Sequence, residues 1–168
     1  ANNSLPVANV RELIEYAKKN PGKVTYSTSG TGSFLHLVGE MFQSQFGVKF
    51  THVPYKGSAP AVQDTIEGRV DLFFDALITS GPHIRSGKVR ALAISSDTRS
   101  KAVPEVPTFT EAGLPGFEAG TWNGFMVPTG TPRAIIDRLN TEIVKILRAP
   151  ATVERLAVDG SIAVGNTA

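Results

Sequence analysis

Residues 23–33 read KVTYSTSGTGS, and the fold follows from what this stretch must be. Its first half is β-branched and aromatic, the composition of a short strand over 23–27. Its second half, 28–33, contains only Ser, Thr and Gly, which suits a loop and neither a helix interior nor a strand. Directly beyond it, Phe34, Leu37, Val38, Met41 and Phe42 recur at helical spacing, and Gly47 ends a helix expected over 33–46. A strand, a Gly-rich loop and a helix in that order open a βαβ unit.

Working outward, the same unit recurs. On the N-terminal side, Asn9 is placed to cap a helix over 9–20 whose apolar stripe is Val10, Leu13, Ile14 and Ala17. Asn20-Pro21-Gly22 stops it. On the C-terminal side the spacing predicts a strand over 48–53, a loop over 54–59 and a helix over 60–67 closed by Gly68. A strand over 70–74 (VDLFF), a helical turn over 82–86 and a strand over 89–95 (VRALAIS) follow. Strands alternating with helices predict an α/β fold with a parallel-rich sheet flanked by helices. Residues 97–120 are rich in Pro, Gly and charge, with at most a short helix over 109–112, and read as a connection. A strand over 122–127 (WNGFMV) precedes the strongest helix of the chain, opened by Thr131-Pro132. Ile135, Ile136, Leu139, Ile143, Ile146 and Leu147 share one of its faces. Pro150 breaks it, and a further short helix runs to Val158. One strand and two helices do not build a second core, so part of a second lobe is expected to lie outside these 168 residues.

Composition narrows the function. Apolar residues make up 41% and charged residues 19%, which supports a packed core. A net charge of +2 with scattered basic residues gives no basis for a nucleic-acid partner. There is no cysteine, so thiolate metal sites and cysteine nucleophiles are excluded. No run of about 18 apolar residues exists to insert in a membrane. The opening residues, ANNSLPVANVREL, do not have the basic-then-apolar order of a leader.

The Gly-rich loop is suited to an anion. Its glycines let the backbone approach a ligand, its hydroxyls donate hydrogen bonds, and free N–H groups of the following helix point the same way. It matches neither a P-loop nor a dinucleotide fingerprint. The plainer alternative is a flexible segment that only starts the helix. Tyr55-Lys56-Gly57 ends the next strand, where Tyr55 could wall a pocket and Lys56 attract a carboxylate, or both could belong to an ordinary polar loop. Asp75 lies just beyond the third strand, where it could accept from a ligand or cap the next turn. His36, His52 and His83 fall on different elements without metal-ligand spacing, so no metal is expected. His36 lies one helical turn beyond Ser33. A Ser–His hydrolase is therefore an alternative reading, although no G-x-S-x-G elbow is present. A third reading is an assembly module built on the apolar face of the 133–147 helix, covered by a neighbouring copy as a homodimer or through exchange of elements.

Four segments taken together resemble the Bug receptor family, the extracytoplasmic solute receptors of tripartite tricarboxylate transporters. They are PGKVTYSTSGTGSFLHLVGEMF, VPYKGSAPAVQDTIEGRVDLFFD, GKVRALAISSDTRSKAVPEVPTFTEAGLPGFE and WNGFMVPTGTP. The resemblance implies a type II periplasmic-binding-protein fold of two α/β lobes with a ligand in the cleft. It implies a periplasmic receptor that binds small carboxylates (di- or tricarboxylates, aromatic acids or amino acids), hands them to a membrane permease, and needs no metal or other cofactor. It divides the chain into a second ligand-binding lobe over 1–96, a hinge connection over 97–121, and the C-terminal part of an incomplete first lobe over 122–168. About a hundred residues of that first lobe are expected before Ala1, and a tail after Ala168. It assigns ligand contacts to Ser29, Gly30, Thr31, Gly32 and Ser33. It makes His36 a residue that orients this loop, and Tyr55, Lys56 and Gly57 the cleft rim. Asp75 is the group facing ligand amines or hydroxyls, and Trp122 an edge of the cleft. Family members often have Asn after that Asp, where this chain has Ala76.

Overall fold

A computed structural model of the chain describes residues 1–158 and 160–168. The elements, in chain order, are α1 (Val10–Lys19), β1 (Thr25–Thr28), α2 (Phe34–Phe46), β2 (Thr51–Pro54), α3 (Ser58–Ile66), β3 (Leu72–Phe73), α4 (Leu77–Arg85), α5 (Arg133–Leu147) and α6 (Pro150–Val158). The three strands are all parallel, in the order β2-β1-β3. Tyr26 sits opposite His52 on one side and Leu72 on the other.

The periodicity of α1 is realised: Val10, Leu13, Ile14 and Ala17 are buried. Its start is fixed twice over. The Asn9 side chain accepts the Glu12 N–H at 3.0 Å, and the Glu12 carboxylate accepts the Ala8 N–H at 2.7 Å. The first satisfies a donor that a helix start leaves open, and the second ties down the residue before the cap.

The sheet has two different faces. On one, Tyr26, Phe50 and Phe74 pack with Phe42 and Phe46 of α2, with ring centroids 4.8–6.1 Å apart. Tyr26 and Phe42 are almost wholly buried. Gly39 of α2 lies directly on the Tyr26 ring, where a Cβ would fall 2.5 Å from Cε2. On the other face, α3 comes close through small polar residues. Ser27 Oγ lies 3.1 Å from Thr65 Oγ1 and donates to the Leu72 carbonyl at 3.2 Å, with both side chains buried. Paired hydroxyls let a helix approach a strand without leaving a polar atom unsatisfied.

Several expectations are corrected. Residues 89–95 do not form a strand of the sheet. Their backbone finds partners singly: Arg90 N–H donates to the Ala1 carbonyl at 2.9 Å, and Ile94 makes one isolated parallel bridge to Thr108. A β-rich composition forms a strand only where a neighbour offers a continuous ladder. For the same reason 122–127 is not a strand; Trp122, Phe125 and Met126 are 79%, 82% and 84% exposed. The turn expected over 82–86 is the end of a longer helix, α4, which starts at Leu77 and runs through Pro82. Residues 109–112 form turns rather than a helix. The 97–120 stretch, read from its composition as a connection, also contributes to the core. Val103, Val106, Phe109 and Phe117 are buried, and Phe109 and Phe117 close over Phe42 and Phe46. Pro and Gly shape this segment without preventing its spaced apolar residues from joining the core.

The helix expected from Thr131 is present as α5, but its apolar face is only partly covered among the described residues: Ile136, Ile143 and Leu147 are half-buried. Ile135, Leu139 and Ile146 are 51%, 44% and 59% exposed.

Candidate functional site

In a parallel sheet ordered β2-β1-β3, the chain moves to one side of β1 and then crosses to the other, so the switch point at which such sheets bind ligands falls beyond the carboxyl ends of β1 and β3. The loops at that edge are 29–33 after β1, 55–57 after β2 and 74–76 after β3. The helices that follow, α2, α3 and α4, all start there, and helix starts carry partial positive charge and free N–H groups. The N-cap residues of α3 and α4, Gly57 and Ala76, provide no side-chain cap.

The Gly-rich loop is held at both ends. Ser33 caps α2, its Oγ accepting the His36 N–H at 3.3 Å. Gly30 and Gly32 adopt φ of 140° and 78°, conformations that only glycine takes without strain. A Cβ on Gly30 would stand 3.4 Å from the Tyr55 carbonyl, in van der Waals contact. The loop is tied to its neighbour after β2: Tyr55 N–H donates to the Thr28 carbonyl at 3.1 Å and Gly57 N–H to the Ser29 carbonyl at 3.2 Å. Thr31 and Gly32 are exposed, while Ser29, Gly30 and Ser33 are half-buried. Sequence reading therefore named two loops that the structure brings together.

At the rim, Tyr55 OH donates to Asp64 Oδ2 at 2.6 Å, and Arg69 Nη1 donates to Asp64 Oδ1 at 2.5 Å. Burial and the Asp64 carboxylate push the Tyr55 phenol up to about 12, so it is a fixed donor. Lys56 is exposed.

Asp75 does not cap α4, a position that Ala76 holds. Its Oδ2 is buried without a hydrogen-bond partner among the described residues. Burial raises its carboxyl to about 7, against the opposing pull of the Ala76 N–H and the Ser80 hydroxyl. Buried polar atoms are nearly always paired, so an unpaired carboxylate oxygen at the carboxyl edge of a sheet marks a position open to a ligand group. Trp122 is 79% exposed and lies outside these three loops, in the 117–128 segment without regular secondary structure.

The arrangement has no nucleophile–base pair at Ser33. Its hydroxyl is engaged with the backbone of His36, and the His36 ring is turned to the loop instead, its Nδ1 accepting the Gly32 N–H at 3.2 Å. Residues that sequence reading left aside support the loop from beneath. His52 stacks on His36 with centroids 4.1 Å apart and on Tyr26 at 4.9 Å. His52 Nε2 lies 2.7 Å from Thr28 Oγ1. Tyr26 OH donates to Glu40 at 2.6 Å. The separate positions of His36 and His52 in the chain concealed this; only the pairing of β1 with β2 brings them together. No group of three or more His, Cys, Asp or Glu among the described residues is placed to hold a metal ion. No helix among them is long and apolar enough to cross a membrane.

Comparison with known proteins points the same way. The profile of the tripartite tricarboxylate transporter family receptor matches residues 1–166. A UPF0065 protein encoded in a tcbD-tcbE intergenic region of Pseudomonas sp. is 44% identical over 148 residues, 88% of this chain and 44% of that protein. Protein BugT of Bordetella pertussis is 41% identical over 160 residues, 95% of this chain and 49% of BugT. Among solved structures, an R. palustris protein with adipate superposes at a TM-score of 0.91 with 39% identity, covering 99% of this chain and 56% of that one. MatC from Rhodopseudomonas palustris with bound malate gives a TM-score of 0.83 at 32% identity, covering 97% and 55%. The chain thus spans about half the length of these relatives.

Proposed function

The chain belongs to the tripartite tricarboxylate transporter receptor family, a family of solute-binding receptors and not of enzymes, and from that membership we propose that it carries one lobe of a periplasmic receptor for small carboxylates. The ligand sits in the crevice between the 29–33 loop and Asp75. Its carboxylate takes hydrogen bonds from the backbone and hydroxyls of Ser29, Gly30, Thr31, Gly32 and Ser33 at the positive end of α2. Tyr55, Lys56 and Gly57 form the rim, and Asp75 meets an amine or hydroxyl of the ligand. Trp122 closes an edge of the cleft once the other lobe is in place. A membrane permease receives the ligand.

The observation that supports this reading is the presence of three helix starts at one sheet edge, together with a buried carboxylate oxygen at that edge that has no partner among the described residues. Solved relatives carry adipate and malate, so dicarboxylates are the first candidates. The test is a thermal-shift screen of mono- and dicarboxylates beside matched diols and diamines. A ligand bound with a dissociation constant of about 1 mM and supplied at about ten times that concentration raises the melting temperature by roughly 3 °C in a chain of this size. A rise with carboxylates and none with diols is expected. No response to any acid would overturn the proposal.

A further inference from the structure

The loop that meets the ligand is held from beneath by two stacked imidazoles, and their hydrogen bonds depend on protonation in different ways. Thr28 Oγ1 lies within hydrogen-bond distance of three groups: His52 Nε2 at 2.7 Å, the Gly30 carbonyl at 3.2 Å and the Gly30 N–H at 3.3 Å. A hydroxyl both donates and accepts. If His52 Nε2 lacks a proton, Thr28 donates to it. If Nε2 carries one, Thr28 accepts from it and turns its own proton to the Gly30 carbonyl. This contact survives either state.

The contact made by His36 does not survive. Gly32 N–H donates to His36 Nδ1 at 3.2 Å, which requires that nitrogen to be unprotonated. The proton of the neutral ring then resides on Nε2, 3.9 Å from the Glu40 carboxylate. A second proton, on Nδ1, would set N–H against N–H and leave Gly32 without its acceptor. We propose that His36 is a proton-sensitive positioning residue, whose uptake of a proton at Nδ1 releases the Gly32 end of the ligand loop, while Thr28 and His52 keep hold of the Gly30 end.

The surroundings set the response. The titratable groups facing the two rings are Tyr26 from β1, Glu40 from α2, and each imidazole for the other, from α2 and β2. The Glu40 carboxylate, 3.9 Å from His36 Nε2, also accepts from Tyr26 OH at 2.6 Å and from Gln43 Nε2 at 2.7 Å. The rings, stacked at 4.1 Å, oppose holding two positive charges at once. Burial, and then His36, hold His52 below the ordinary imidazole range. Imidazole is the one side chain that ordinarily changes charge between pH 5 and 8. The two glycines that flank Thr31 have positive φ, so the loop can re-form around a lost bond without a side-chain penalty.

The proposal concerns the loop without ligand, so it stands or falls apart from the carboxylate reading. The experiment is a nitrogen-15 NMR titration of the full chain from pH 8 to 5, following the imidazole nitrogens and the Gly32 amide. At pH 8, His36 is expected as the Nε2–H tautomer. The Gly32 amide shift should move with the same midpoint as the His36 ring. Its protection against exchange should drop about fivefold on protonation, the loss of one ordinary hydrogen bond. In His36→Gln, the pH response of Gly32 should vanish. A Gly32 signal that stays fixed while His36 titrates, an Nδ1–H tautomer at pH 8, or an unchanged Gly32 response in the Gln variant would each overturn the proposal. The wild-type titration decides alone if that variant fails to fold.

Discussion

Single atoms govern two positions. Gly39 is required because the Tyr26 ring occupies the space of a side chain, with Cε2 at 2.5 Å from where a Cβ would stand. Gly39→Ala should destabilise the chain by about 1–3 kcal/mol, the usual cost of overpacking, as read by urea denaturation. Asp75 gives a pH signature. Its folded carboxyl is raised from 3.8 to about 7 by burial, so the folded state keeps a proton that the unfolded chain has already released. Stability is therefore fully present below the unfolded value and is lost as pH rises toward 7. Asp75→Asn removes that loss, and its gain over wild type should grow from near zero at pH 4 to roughly 1–2 kcal/mol at pH 8, with the solvated part of the side chain discounted. Melting curves at the two pH values check it; a gain that is equal at both would contradict the burial argument.

Among the elements, α2 does two jobs at its first turn. Ser33 caps it through the His36 N–H and belongs to the proposed ligand loop. Asn9 caps α1 in the same way through the Glu12 N–H at 3.0 Å, on a helix remote in sequence from any loop of the crevice. Ser33→Ala and Asn9→Ala should each cost about 1 kcal/mol of stability, the ordinary worth of an N-cap. Only Ser33→Ala should also reduce the thermal shift produced by dicarboxylates. Equal ligand responses in the two variants would leave Ser33 as a cap alone.

For the molecule as a whole, the chain has the periplasmic-binding fold of its neighbours, over about half their length. A cleft receptor gains affinity by closing two lobes on its ligand, so this chain by itself is expected to bind carboxylates in the millimolar range. Calorimetry giving micromolar affinity would contradict that.

The local order of strand, Gly-rich loop and helix was legible because backbone preference and apolar spacing act over a few residues. The cap at Asn9, the buried stripe of α1 and the Ser/Thr/Gly loop after the first strand were read from local composition and spacing, and Asp75 was placed at a strand end. Pairing was not legible. The 89–95 and 122–127 stretches have strand composition, yet no neighbour offers them a ladder. The 97–120 stretch has loop composition, yet Phe109 and Phe117 reach the core. The meeting of His36 with His52, the Tyr55–Asp64 bond and the unpaired oxygen of Asp75 depend on strand order, parallel register and burial. Each of those is decided by packing between segments distant in the chain. The sequence thus determined which residues stand at the edge of the sheet, and the tertiary structure alone decided which of them touch.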